Sequence, residues 1–355
     1  MSRHSSILRR VTTLFESELC EQPSVLARLL REGRGPAEDI AARLRERRVR
    51  FAVLAARGSS DNAARYGQYV FGVHNALVAA LATPSVFTHY GAKPSLADSL
   101  VIGISQSGQS PDIVEVLREG RAQGAFTLAL TNEPESPLAT AAEAVFPLRA
   151  GREKAVAATK TYTAQVLAVA MISAALKGDE RLWRELASVP DLAETAIARN
   201  LPHVQAAEAL REHSRLVVVG RGYNLSTAFE ITLKVKETTG VMADGYSSAD
   251  FLHGPKAILD RHLAVLAVAP GPRVFDDLDG LVRLTRENGA PLVAISDRPE
   301  LLSQADIAMP LPVMPEWLSP IVAVMPGQIF ALGLSLARGM QPDAPPGLSK
   351  VTHTR

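Results

Sequence analysis

The sequence holds a single cysteine, Cys20, in 355 residues. That excludes an internal disulfide and any cysteine-rich metal site. It fits a reducing compartment. A charge excess is also missing, since 38 Lys and Arg face 37 Asp and Glu. So balanced a chain carries no electrostatic footprint for nucleic acid or for a membrane surface. The N-terminus, Met1-Ser2-Arg3-His4-Ser5-Ser6, lacks the apolar core of a signal peptide. Apolar runs such as Val166 to Leu176 are too short to span a bilayer and read as buried elements. No two histidines have metal-ligand spacing. The expectation is a cytoplasmic protein with no metal, no cofactor, no nucleic-acid partner and no membrane attachment.

Apolar residues, by contrast, are plentiful. At 47% hydrophobic and 21% charged, the chain can bury a sizeable core. Its length suggests two domains or one large α/β unit. Residues 11–33 read as a helix stopping at Gly33, and a second helix runs from Pro36 to about Arg47. The rhythm then changes to short apolar runs alternating with helical patterns. Strand candidates are Phe51–Ala56, Pro84–Thr88, Leu100–Ile104, Ala125–Leu130 and Ala144–Leu148. Strands alternating with helices imply parallel pairing, with helices on both faces. Residues 151–178 read as a loop and a long helix, and residues 179–213 as a helical link.

The second half repeats this plan. Arg215–Gly222 mirrors the run ending at Gly58, and Leu263–Ala269 stands where Leu100–Ile104 stood. Pro291–Asp297 and Asp306–Leu311 parallel Thr127–Asn132 and Glu143–Leu148. Four matched elements in one order mark two copies of a single α/β unit. The copies differ after the third strand. The first has Ser105-Gln106-Ser107-Gly108-Gln109-Ser110, then Pro111 opening a helix; the second has Pro270-Gly271-Pro272-Arg273. Hydroxyls and an amide at a helix N-terminus can hold a phosphate without Lys or Arg. The same loop could simply cap the helix. Ser59-Ser60 and Ser105–Ser110 both fall beyond carboxyl ends of strands, so they could line one crevice.

Groups able to do chemistry come later. Glu230, Lys234 and Glu237 are spaced to share one helix face. They could be a surface ion pair, or, on a helix this apolar, a buried set able to move protons. His253 precedes Gly254-Pro255 in a loop, a setting that favours exposure at a site. Residues 341–347, Gln-Pro-Asp-Ala-Pro-Pro-Gly, read as an extended stiff arm leading to Lys350. Such an arm could be a free tail or could close over a pocket, where a lysine amine can form a Schiff base.

Together, Gly58-Ser59-Ser60, Ser105–Gly108, Val156–Lys160, Glu230–Glu237, His253-Gly254-Pro255 and Leu348–Thr352 resemble the sugar isomerase (SIS) domain family. The likeness covers roughly residues 45–355 and is nearest to the isomerase half of glucosamine-6-phosphate synthase. It implies two Rossmann-like (SIS) subdomains, each a parallel sheet flanked by helices. The chain would then divide into a helical leader (1–47), a phosphate-binding subdomain (48–178), a helical link (179–213), a second subdomain (214–340) and a closing tail (341–355).

On that resemblance, phosphate falls to Ser60, Ser105, Gln106, Ser107 and Ser110, the last standing where Thr is common. Glu237 would move a proton between sugar C1 and C2, His253 would open the ring from a partner subunit of a homodimer, and Lys350 would form the Schiff base. Lys234 would be a further active-site lysine. Val156 and Ala157 would line the sugar, and Glu153 would sit near the amino group. Ala158 replaces a common Ser. The synthase begins with a glutaminase domain whose nucleophile is an N-terminal Cys; here Cys20 falls in a helix, so ammonia from glutamine by that route is not expected. The resemblance then points to SIS-type glucosamine-6-phosphate deaminases, which turn an amino-sugar phosphate into a ketose phosphate and ammonia. Two alternatives stand beside it: a deglycase acting on a phosphorylated fructosamine-type adduct, and a non-catalytic phosphosugar sensor.

Overall fold

The computed structural model describes residues 12–350. The first half runs α1 (Leu14–Cys20), α2 (Gln22–Arg45), β1 (Phe51–Ala55), α3 (Ser59–Asn75), β2 (Val78–Leu81), α4 (Pro84–Thr88), β3 (Ser99–Ser105) and α5 (Pro111–Ala122). It continues with β4 (Phe126–Thr131), α6 (Pro137–Ala141), β5 (Ala144–Pro147) and α7 (Lys160–Lys177). Helices α8 (Glu180–Leu186) and α9 (Val189–Asn200) and a 3-10 stretch (Leu201–Leu210) link the halves. The second half runs β6 (Arg215–Gly220), α10 (Leu225–Thr239), β7 (Met242–Ser247), α11 (Ser248–Leu252) and β8 (Leu263–Val268). It closes with α12 (Pro272–Glu287), β9 (Leu292–Ser296), α13 (Pro299–Leu302), β10 (Ile307–Pro310) and α14 (Ser319–Ala337).

Each half builds a five-stranded parallel sheet, in the orders β2-β1-β3-β4-β5 and β10-β9-β8-β6-β7. Read from the other edge, the second order repeats the first, so the duplication read in the sequence is a duplication of topology. The central strands are buried on both faces: β3, β4 and β8 are buried at every position. Burial on both faces explains their unbroken apolar runs. Helices α3 and α10, which follow the first strand of each copy, pack on one another. Helix α14 packs on α10, α9 and α7, so one apolar core runs through both halves.

Several sequence expectations are corrected. Residues 84–88 form the short helix α4, and the strand lies earlier, at β2. Strand β2 is an edge strand with Val78 exposed, so it lacks the dense apolar signature of its neighbours. Helix α2 does not stop at Gly33 but continues through Pro36 to Arg45. Packing explains this: a Cβ on Gly33 would come within 2.9 Å of Met171 and Phe146, so the glycine permits a close helix crossing and is no cap. Residues Glu316–Ala337 are long and apolar enough to cross a membrane by length and composition, contrary to the reading that the apolar runs are too short. Proline and polar residues break that run in the sequence, and the helix is mostly buried inside the molecule. Residues 341–350 fold into turns, with the Leu348 N–H donating to the Pro345 carbonyl at 3.3 Å, and are not an extended arm.

Candidate active site

In a sheet of order 2-1-3-4-5 the chain leaves β1 and β3 in opposite directions, which opens a crevice at their carboxyl ends. Both hydroxyl-rich loops lie there. Ser59 and Ser60 begin α3, while Ser105 ends β3 and Ser110 precedes α5. The turn between them is fixed by local bonds: Ser105 Oγ accepts from the Gly108 N–H (3.1 Å), and Ser107 Oγ from the Gln109 N–H (3.3 Å). Gly108 has φ +63°, and a Cβ there would fall 2.0 Å from Ser136 Oγ. Only glycine meets both demands. Ser110 occupies the N-cap position of α5, yet its side chain makes no capping bond among the described residues. The capping alternative for this loop therefore loses its mechanism at Ser110.

A cavity of about 360 Å³ opens at this crevice. It is lined by Ser60, Ser105, Gln106, Ser107 and Ser110 on one side and by Lys234 and Glu237 on another. Glu153, Val156, Ala158 and Lys350 also face it. Thus the loop after β3 of the first repeat meets the helix after β6 of the second. A larger cavity of about 1100 Å³ adjoins it and shares Gln106, Ser107, Glu153 and Lys350.

The charged groups form two clusters. In the first, Lys234 Nζ lies 2.5 Å from Glu237 Oε2 and 3.5 Å from Glu230 Oε1. Glu230 is fully buried and accepts from Ser59 Oγ (2.9 Å) and Asn62 Nδ2 (2.8 Å) of α3. Burial pushes the Glu230 carboxyl up to about 7, against the pull of Lys234 and Asn62. Burial also pulls on the Lys234 ammonium, but Glu230 and Glu237 outweigh it and hold its pKa above the ordinary lysine value. Of the two carboxylates on this helix face, Glu237 is the one facing the cavity.

In the second cluster Lys350 Nζ donates to Glu153 Oε2 (2.5 Å) and to the Ala155 carbonyl (2.7 Å). Glu153 also accepts from the Thr159 and Thr161 N–H groups and from Thr161 Oγ1. Burial alone would raise its pKa, but Lys350 and these donors hold the carboxyl below the ordinary range. The loop carrying Glu153 and Val156 is clamped from outside. Glu18 of α1 accepts from the Lys154 and Ala155 N–H groups. Asp343 caps α1 by accepting from the Leu14 and Phe15 N–H groups, while its carbonyl accepts from the Val156 N–H (3.0 Å).

Of the twelve residues expected from sequence to form the site, ten line this cavity and two do not. Ala157 is buried and does not line the cavity. His253 is exposed, and is not among the described residues lining it. Two site residues were missed from sequence: Arg57, which lines the cavity, and Asn62, which holds Glu230; Ser59, expected only to line the crevice, does so and also donates to Glu230. Their signal was the polar run 57–62 at a strand end, of which only Ser59 and Ser60 were used.

The chain and its fold match known proteins. The SIS domain pattern matches residues 47–175 and 209–338. The isomerizing glutamine–fructose-6-phosphate aminotransferase of Thermococcus kodakarensis is 34% identical over 308 residues, 84% of this chain and 51% of that protein. That of Gloeobacter violaceus is 32% identical over 354 residues, 94% of this chain and 57% of its own. The chain spans about half the length of these curated relatives. A solved structure described as a putative phosphosugar isomerase, from Silicibacter pomeroyi, superposes with a TM-score of 0.86 at 32% identity, over 93% of this chain and 100% of that one. The glucosamine-6-phosphate deaminase of Thermotoga maritima shares the fold, with a TM-score of 0.77 at 20% identity, over 96% of this chain and 100% of that one. The chain belongs to the SIS domain family, in two repeats, and is homologous to the isomerase half of glutamine–fructose-6-phosphate aminotransferase.

Proposed function

We propose that the protein isomerises and deaminates an amino-sugar phosphate, converting glucosamine 6-phosphate and water into fructose 6-phosphate and ammonia. The observation that carries this reading is the meeting, in one cavity, of the Ser105–Ser110 loop with the Lys234–Glu237 pair. The loop supplies oriented dipoles for a phosphate, and Glu237 supplies a carboxylate within reach of a bound sugar.

In this mechanism the phosphate is held by Ser60, Ser105, Gln106, Ser107 and Ser110. The sugar lies toward Glu153 and Val156. His253 of a second copy assists ring opening, which its exposure in the single chain allows. Glu237, oriented by Lys234, takes the proton from C2 of the open-chain aldehyde and returns it to C1. That leaves a C1 alcohol and a C2 imine. Water adds at C2 and ammonia departs, so atoms balance. Lys350 can exchange with the C2 imine only after leaving Glu153 and losing a proton, so the Glu153–Lys350 pair is the resting form of the tail. The first repeat binds, the second does the proton transfer, and the tail closes.

The test is direct. The protein is incubated with glucosamine 6-phosphate, and ammonia and fructose 6-phosphate are measured together. Equal release of both is expected, with Glu237→Gln lowering kcat about 10²- to 10⁴-fold. Cleavage of a 6-phosphofructosyl amino acid without ammonia from any amino-sugar phosphate would replace this reading with a deglycase. Binding of phosphosugars without turnover would replace it with a sensor.

A further inference from the structure

We infer that Arg57 is a further phosphate-binding residue of this site, one that neutralises the buried Asp112 beneath the loop and offers its remaining guanidinium donors to the incoming dianion. The inference rests on the phosphosugar reading above. Arg57 follows β1 and lines the cavity beside Ser60, Ser105 and Ser110. Its Nε donates to Asp112 Oδ2 at 2.8 Å. The Asp112 side chain is 1% exposed and that of Arg57 is 48% exposed. Asp112 lies in the first turn of α5, and its other oxygen accepts from the Ile113 N–H (2.9 Å).

That placement poses an electrostatic problem. A helix N-terminus offers roughly half a positive charge. A full carboxylate in the same turn more than cancels it, so loop and helix alone would repel a phosphate. Arg57 restores the balance through Nε only. Its Nη groups have no hydrogen-bond or ion-pair partner among the described residues. The other acid nearby, Asp61, is held by Arg65 at 3.2 Å. Arg57 is thus anchored by one edge, with its forked edge unused at the cavity wall. A guanidinium so held suits two phosphate oxygens at once, which a lysine does not reproduce. It would also make the site prefer phosphosugars over neutral sugars by charge as well as by shape.

The competing account makes Arg57 only a counter-ion for Asp112. The double variant Arg57→Ala/Asp112→Asn separates the two, because it leaves no buried carboxylate unpaired and so avoids the folding cost of Arg57→Ala alone. Binding of inorganic phosphate and of glucosamine 6-phosphate is measured by calorimetry at fixed salt, alongside KM and kcat. We expect the double variant to lose at least about tenfold in affinity for both ligands, a loss falling mainly on KM, while Asp112→Asn binds at least as tightly as wild type. Arg57→Lys, with charge but no fork, should fall between. Wild-type affinity in the double variant would overturn the inference alone. Wild-type protein binding neither ligand would overturn the phosphosugar reading and the inference with it.

Discussion

Glu230 is the group at the site whose acid–base chemistry gives the plainest stability prediction. Its carboxyl is raised by burial from 4.5 to about 7. The folded value lies above the unfolded one, so the native state holds the proton more tightly. The native state is therefore least penalised below about 4.5, and stability falls as pH rises from there to about 7. A shift of this size corresponds to about 3 kcal/mol at full development. Glu230→Gln removes the titration, so urea midpoints at pH 5 and pH 8 should lie closer together in the variant than in wild type. A wild type that instead gains stability through this window relative to the variant would contradict the assignment. Part of this was legible in the sequence, since the spacing of Glu230, Lys234 and Glu237 gives their shared face. Which carboxylate faces the cavity was not legible from spacing, because it depends on Ser59 and Asn62, about 170 residues away in the chain. Arg57 was equally silent, because the carboxylate that anchors it is 55 residues further on.

At the scale of elements, the site is held by helices that cross unusually closely. A Cβ on Gly333 of α14 would fall 2.0 Å from the Val204 carbonyl oxygen, and one on Gly327 would fall 2.3 Å from Ile231 of α10. The first contact is backbone and cannot retract; the second is a side chain that can change rotamer. Gly333→Ala should therefore cost more than Gly327→Ala, the two bracketing about 1–3 kcal/mol in chemical denaturation. The reverse order would mean that α14 shifts as a body. Such crossings explain why sequence reading misplaced boundaries in the first half. Gly33 looks like a stop and is a packing contact, and β2 is too exposed to announce itself. The buried strands β3, β4 and β8, by contrast, were plain because burial on two faces allows little but apolar residues.

At the scale of the whole molecule, duplication brings two repeats to one cavity and divergence makes their contributions unequal. The helices following the first strand of each copy, α3 and α10, pack on each other, so residues of both repeats line one cavity. Only the first copy keeps hydroxyls in the loop after its third strand. If His253 serves a neighbouring copy, two inactive variants should rescue one another. Mixing equal amounts of Glu237→Gln and His253→Ala subunits, with exchange, should restore about a quarter of wild-type activity, because half the dimers are mixed and each carries one intact site. No recovery from mixtures proven to exchange would rule out a shared site.

The contact of Asp343 with the Val156 N–H has a kinetic consequence. It fixes a point on the tail with only six residues between it and Lys350, and two of those six are proline. Lys350 is thus tethered within a small ring whose closure costs little chain entropy. In the proposed mechanism it would return after each release from Glu153 as a unimolecular event, at an effective concentration on the order of millimolar. Asp343→Ala keeps the carbonyl that accepts from Val156 but removes the side-chain cap that binds this point to α1, so the anchor and α1 would loosen together. The expected result is a fall in kcat in a protein whose Lys350, Glu153 and Glu237 are all intact, read by steady-state turnover beside the circular dichroism of the folded chain. An unchanged kcat would show that the latch closes without its anchor.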